Sequence, residues 1–325
     1  MTTFTHVVAA VLEDAAGRVL LARRPDHLRH GGLWEFPGGK VEPEESPYAA
    51  LVRELEEELG VRVGSAEPLI RIPYPYECGP VLLDVWRVGA FAGEPVAQEG
   101  QRLEWAAREA LAGYAYPEAN RGVVAALRLP SHYLITPEPG PEPRWPTFLE
   151  ALDAALADGI RLVQLRAKAL AGSELDRLAG AVVERCRRAG ARVLVNGPPE
   201  LAERTGADGL HLSGSRLRGL RRRPLGADRW LAASCHDAEE LALACRLPVD
   251  FAVVSPVRPT PSHPGAPVLG WDGFRALTDS STVPVYALGG VGPADVDHVR
   301  ACGGQGIAAI RALWPERPAG GPDAG

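Results

Sequence analysis

From residue 132 onward, short apolar runs recur mostly every 20–30 residues: YLIT, LVQLR, RVLVN, GLHLSG, WLAASC, FAVVSPV, PVYALGG and GIAAIRAL. They lack the polar alternation of a half-exposed strand and read as strands buried on both faces. Between them lie stretches of helical period such as ELDRLAGAVVERCRRAG. Parallel neighbours need a crossover of about a dozen residues or more, which these intervals supply. Eight such units in about 190 residues predict a closed (βα)8 TIM barrel. The barrel also sets the domain boundary. The Pro-rich TPEPGPEPRWP at 136–146 has the composition of a linker, but the run before it needs a sheet to join. It is therefore expected as the first βα loop, with domains at 1–130 and 131–316 and a disordered tail at 317–325.

The first 130 residues have a different rhythm. THVVAAVL (5–12) and RVLLARR (18–24) predict strands around the turn EDAAG, and PLIRIPYPYE and VLLDVWRVGAF continue a mixed sheet. Helices expected at 47–59 and about 119–128 complete an α/β/α sandwich. The first helix is well bounded, with Ser46 as N-cap, Pro47 at the first helical position and Gly60 as the stop. Within it Glu54, Glu57 and Glu58 share an arc of about 100°. Tyr48, Leu51, Val52, Leu55 and Leu59 form an adjoining apolar stripe, expected to pack on the sheet. Carboxylates four residues apart repel in a bare helix. A hard cation with oxygen ligands, Mg²⁺ or Mn²⁺, reverses that sign.

Residues 39–61, GKVEPEESPYAALVRELEEELGV, place Gly39, Glu45, Arg53, Glu54, Leu55, Glu57, Glu58, Gly60 and Val61 at the spacing of the Nudix box. The segment resembles the Nudix hydrolases. Residues 5–128 resemble the MutT group of that family, the 8-oxo-dGTP diphosphatases, because LWEFPGGKVE, Arg24 of LARR, Glu99 of EGQ and Asn120 of PEAN also match. The resemblance implies Mg²⁺- or Mn²⁺-dependent hydrolysis of 8-oxo-dGTP to the monophosphate and pyrophosphate. Water attacks the β-phosphorus, and the activity serves nucleotide-pool sanitation and so DNA repair. The resemblance also implies that the Gly38 carbonyl, Glu54, Glu57, Glu58 and Glu99 hold metal while Arg53 orients the glutamates. Glu54 is the expected general base, with Glu99 as rival. Arg24, Phe36, Lys40 and Asn120 would contact the nucleotide, Asn120 reading the oxidised base. An N-cap of the following helix is the other role open to Asn120. Another nucleotide or a thiamin-related pyrophosphate is the alternative substrate.

From 132 to about 314 the chain resembles thiamin phosphate synthase and its TenI-like thiazole tautomerase relatives. The matching pieces include QLRAK (Gln164, Arg166, Lys168), VLVN (Asn196), SCH (His236), ALGGV (Gly289, Gly290) and GQGIAAI (Gly306, Ile307, Ala308). The resemblance implies a phosphate site on the backbone of Gly289, Gly290 and residues 306–308, at the ends of strands seven and eight. Glycines for tight turns are the other reading. There are departures. Gly197 and Arg216 stand where the synthase has metal-binding aspartates, and His263 stands where it has a lysine. Lost carboxylates weaken Mg²⁺–pyrophosphate binding, so a tautomerase or a non-catalytic phosphate-binding module is expected instead of the synthase. The ligand would be a phosphorylated thiazole or phosphate, and His236 a proton shuttle or a histidine satisfied by backbone.

Composition narrows the partners. A net charge of −6 and a pI of about 5.8 argue against a broad nucleic-acid surface. No apolar run approaches a membrane span, and no basic region precedes Asp14 as a signal peptide requires. The five cysteines are scattered without a CxxC, which fits free thiols in a reducing cytoplasm. Of 35 cations 33 are arginine, and the two lysines, Lys40 and Lys168, both fall in expected phosphate sites. An ammonium is a point charge that a planar guanidinium does not always replace.

Overall fold

A computed structural model describes residues 4–27, 30–260, 265 and 267–315; His263 and the expected tail at 317–325 lie outside the described residues. The chain divides into two compact units, Met1–Leu129 with Ala276–Pro284, and Pro130–Arg275 with Val285–Gly325.

The first unit contains β1 (Thr5–Leu12), β2 (Val19–Arg23), β3 (Trp34–Glu35), α1 (Pro47–Leu59), β4 (Arg62–Tyr76), β5 (Gly79–Ala92), β6 (Arg102–Ala106) and α2 (Asn120–Arg128). β1 lies parallel to β5, which pairs antiparallel with β4. β2 is the middle of an antiparallel sheet between β3 and β6. The mixed sheet follows from β1, which is buried on both faces. Val8, Ala10 and Leu12 pack with Leu51, Leu55 and Leu59 of α1. Ala9 and Val11 pack with Val123, Val124 and Leu127 of α2. The two-residue period of a strand thus feeds one helix on each side.

The ends of α1 are where the caps predict. The Ser46 hydroxyl accepts from the Ala49 N–H at 3.1 Å, and Gly60 takes the left-handed cap conformation. Its buried face differs from the expected stripe. Ala50 joins Leu51, Leu55 and Leu59, whereas Tyr48 is 39% exposed and lays its ring edge-on to Trp86 at 5.8 Å. Tyr48 lies in the first turn, where an amphipathic side chain can cover a neighbour and still meet water.

The second unit is a closed barrel of eight parallel strands, paired in chain order: β7 (His132–Ile135), β8 (Leu162–Leu165), β9 (Arg192–Val195), β10 (Gly209–Leu212), β11 (Trp230–Cys235), β12 (Phe251–Val254), β13 (Val285–Leu288) and β14 (Gly306–Ala309). The crossovers carry α3 (Trp145–Ala157), α4 (Gly172–Arg188), α5 (Pro199–Thr205), α6 (Gly214–Gly219), α7 (Ala238–Arg246), α8 (Gly270–Thr278) and α9 (Val296–Ala301). The Pro-rich segment lies between β7 and α3, as the first βα loop. Tyr133, Phe251 and Tyr286 fill the interior with ring centroids 5.3 to 5.7 Å apart. His211 is fully buried beside them, Nδ1 3.0 Å from the Tyr133 hydroxyl and Nε2 2.7 Å from Ser234 Oγ. Burial pushes its pKa down to about 3, so it is a neutral packing and hydrogen-bonding group.

One expectation about the barrel fails. Gly306 opens β14, and Ile307 and Ala308 are fully buried in its wall. Parallel strands begin at the face opposite the βα loops, so these three residues cannot cradle a ligand at the carboxyl ends. Gly306 answers a packing need, because a Cβ there would stand 2.1 Å from the Ser131 carbonyl oxygen. Among the described residues no helix is long and apolar enough to cross a membrane. None of the five cysteines is in a disulfide.

Candidate functional site

In the first unit, α1, the segment after β3 and the loop before β6 converge. Arg53 is the hub. Its Nε and Nη2 donate to Glu45 at 3.0 and 2.9 Å, and its Nη1 donates to Glu54 at 2.9 Å and Glu57 at 3.1 Å. Nη2 also reaches the Lys40 carbonyl at 3.0 Å, tying the box helix to the glycine turn. The carboxylates raise the Arg53 pKa, Glu45 foremost, and Arg53 in turn lowers that of Glu45. The turn itself needs glycine. A Cβ on Gly38 would meet the Val8 carbonyl oxygen at 2.2 Å, and one on Gly39 would meet the Glu54 carboxylate at 2.2 Å. Gly38 N–H donates to Glu58 Oε2 at 3.0 Å. Glu99 comes from a loop pinned to the helix end, where Gln98 N–H and Gln101 Nε2 both donate to the Glu58 carbonyl at 3.0 and 3.1 Å.

These groups crowd Glu58. Its pKa is pushed up to about 8, first by burial, with Glu35, Glu54 and Glu99 adding repulsion and the Gly38 N–H opposing. Among the described residues no three carboxylates, imidazoles or thiols already stand as a coordination group. The arginines account for this, since Glu54 and Glu57 are turned to Arg53 and Glu35 to Arg24. The donor set fits a hard divalent cation: it is all oxygen, and such an ion relieves the repulsion at Glu58.

Glu35 was not singled out from the sequence. It accepts from Arg24 Nη1 through both oxygens, at 2.9 and 2.7 Å, and burial raises its pKa against the pull of Arg24. Its neighbours in the chain face the other way. Phe36 is buried and stacks on Tyr116 with centroids 6.1 Å apart, and Trp34 meets Tyr114 edge-on at 5.4 Å. Lys40 is exposed. Asn120 is 7% exposed and opens α2, but the N-cap position belongs to Ala119 and no side chain caps the helix. The capping role open to Asn120 is therefore not taken. Its backbone N–H donates to the Pro117 carbonyl at 3.0 Å, whereas its side-chain amide makes no hydrogen bond among the described residues.

At the carboxyl ends of the barrel strands, Arg166 and Lys168 follow β8, Asn196 follows β9, His236 follows β11, and Gly289 and Gly290 follow β13. Gln164 lies within β8, buried, its Oε1 without a hydrogen-bond partner. Glu138 organises the β8 loop, accepting from Lys168 N–H at 3.2 Å and Ala169 N–H at 3.0 Å, with the Arg166 guanidinium 3.6 Å away. Gly289 and Gly290 have φ of +97° and +67°, and Cβ atoms there would meet Pro256 Cα at 2.9 Å and the Pro259 carbonyl oxygen at 2.6 Å. Backbone geometry thus demands both glycines whatever the ligand. His236 Nδ1 lies 2.8 Å from Glu240 Oε2, and its backbone N–H donates to the same oxygen at 2.8 Å. Arg218 pairs with the other oxygen of this buried carboxylate. Glu240 was missed, although its place four residues after His236 on a helix start is legible in CHDAEE. Its backbone N–H is capped by Asp237 at 2.8 Å.

Comparison with known proteins divides the chain near residue 130. The thiamine monophosphate synthase profile matches residues 132–313, and a NUDIX domain profile matches residues 7–126. The CTP pyrophosphohydrolase of Escherichia coli is 42% identical over 122 residues, which cover 38% of this chain and 90% of that protein. A thiamine-phosphate synthase of Acidothermus cellulolyticus is 36% identical over 165 residues, covering 50% of this chain and 78% of the relative. A solved MutT structure, from work on the Aliivibrio salmonicida and Vibrio cholerae proteins, shares 39% identity over 38% of this chain and 97% of its own, with a TM-score of 0.35.

Proposed function

The chain belongs to the Nudix family through its first unit and to the thiamine monophosphate synthase family through its barrel, and from that premise we propose that the first unit hydrolyses 8-oxo-dGTP and related oxidised purine nucleoside triphosphates to the monophosphate and pyrophosphate. The observation that supports this most is Asn120, 7% exposed, whose side-chain amide makes no hydrogen bond among the described residues. With no protein partner, the side-chain amide is left for solvent or a ligand. A base edge that offers a donor and an acceptor side by side restores the pairing. Phe36 and Tyr116, in one apolar cluster with Ala119, supply aromatic surface on that side.

Mg²⁺ or Mn²⁺ would be held by the Gly38 carbonyl, Glu54, Glu57, Glu58 and Glu99. When bound, the cation polarises phosphate oxygens and lowers the pKa of water. Arg53 fixes the orientation of Glu54 and Glu57. Glu54 takes the proton from the water that attacks the β-phosphorus. Arg24 and Lys40 neutralise the phosphate chain. The role is nucleotide-pool sanitation in the cytoplasm.

Steady-state kinetics on 8-oxo-dGTP, dGTP and CTP test this. Asn120→Ala should lower kcat/KM for 8-oxo-dGTP roughly 5- to 100-fold while changing that for dGTP by less than about threefold. Unchanged discrimination would overturn the assignment. The name of the Escherichia coli relative favours a second reading, CTP as substrate, and a wild-type preference for CTP over both purines would establish it.

For the barrel, the His236–Glu240 pair supports a tautomerase acting on a phosphorylated thiazole. Glu240 accepts from Nδ1–H, leaving Nε2 to move a proton. Loss of solvent deuterium exchange into a thiazole phosphate in His236→Ala is the expected result. Exchange that persists in the variant would remove His236 as the shuttle, and a wild type without exchange would leave the barrel as a phosphate-binding module.

A further inference from the structure

The hairpin of β2 and β3 does more than close a sheet. Its register sets Ala22 opposite Glu35 and Arg23 opposite Trp34. Arg24 N–H donates to the Leu33 carbonyl at 2.9 Å and Gly32 N–H donates to the Arg24 carbonyl at 3.0 Å, so the backbone of Arg24 is fixed. Glu35 then fixes its side chain, taking Nη1 at 2.9 and 2.7 Å. Successive side chains of a strand point to opposite faces. Trp34 and Phe36 turn to the aromatic cluster, and Glu35 turns to the side of Glu58, whose carboxylate its charge opposes.

Stability does not explain this placement. The Arg24 and Glu35 side chains are 31% and 29% exposed, and such a pair contributes about 0–1 kcal/mol. Setting another carboxylate where its charge opposes that of Glu58 works against the fold. A guanidinium carries about 2 kcal/mol of rotamer entropy, which is lost on binding unless the group is already held. We propose that Glu35 is a positioning residue, holding the Arg24 guanidinium beside the box carboxylates in the pose that takes the non-bridging oxygens of the substrate's phosphate chain. The proposal rests on the reading of the first unit as a nucleoside triphosphate hydrolase.

The test is a double-mutant cycle on the full chain at saturating Mg²⁺, with 8-oxo-dGTP and with dGTP. Glu35→Gln keeps the shape and loses the charge. It should lower kcat/KM about tenfold for both nucleotides, chiefly through KM, because phosphate is common to them. In the Arg24→Ala background the same substitution should change kcat/KM by less than about twofold. Glu35→Asp, which restores the charge, should recover part of the loss with an unchanged melting curve. Equal losses from Glu35→Gln with and without Arg24 would overturn the proposal. A rise of about tenfold or more in the Mg²⁺ needed for half-maximal rate, in both backgrounds, would also overturn it by making Glu35 a metal ligand. A wild-type protein inactive on both nucleotides would overturn the underlying reading and this proposal with it. Additivity in an active wild type overturns this proposal alone.

Discussion

Glu58 concentrates the electrostatics of the first unit. Its carboxyl is raised from 4.5 to about 8, so between those pH values the folded, metal-free protein binds a proton that the unfolded chain releases. That proton stabilises the fold fully below about 4.5, and the contribution is lost as pH rises through about 8. The metal-free protein should therefore melt at falling temperature from pH 6 to 9, by an amount on the order of a few kcal/mol in stability. A ligand carboxylate must shed its proton, so Mg²⁺ affinity should rise over the same window. Calorimetric titration with Mg²⁺ checks both. Glu58→Gln should flatten the melting trend, and a trend that persists in that variant would place its origin elsewhere.

At the scale of elements, α1 is the strut on which the carboxylates stand. Leu55 is fully buried between Glu54 and Glu57, facing Val8, Ala10 and Leu12 of β1. Leu55→Ala should cost about 2–5 kcal/mol in chemical denaturation of the first unit, and less than about 1 kcal/mol would mean that the helix is held by its caps instead. What the sequence makes legible here is local. Ser46, Pro47 and Gly60 mark both ends of α1 because caps act within one turn, and the eight barrel strands are legible because each is a short apolar run of its own. That Arg53 orients the box glutamates is what the resemblance implies, and its pairing with Glu45 comes from the fold of the segment before α1. What is not legible depends on register and direction. Glu35 meets Arg24 only through the pairing of β2 with β3. GIAAIRAL marks a strand but not which of its ends faces the βα loops, which is why Gly306, Ile307 and Ala308 were expected at the wrong face. Asn120 against Ala119 as the cap turns on a single residue of helix boundary, finer than any pattern fixes.

For the whole molecule, the two units differ in the carboxylates they offer a cation. The first gathers Glu54, Glu57, Glu58 and Glu99, whereas the residues at the barrel mouth offer Arg166, Lys168, Arg216 and Arg218 with Glu138 and Glu240 already paired. Chelation should therefore abolish nucleotide hydrolysis while leaving thiazole phosphate binding to the barrel within about twofold by isothermal calorimetry. Glu57→Gln should do the same without chelator, lowering kcat by at least about 100-fold, with the near-ultraviolet dichroism of the barrel aromatics unchanged. The lysine count then has a practical use. Lys40 and Lys168 are both exposed and stand in different units. An amine-selective acylating reagent can modify only these two side chains and the amino terminus. Peptide mass mapping after such labelling would show shielding at each candidate site separately, so occupancy of one by a nucleotide and of the other by a phosphate ester could be followed in a single sample.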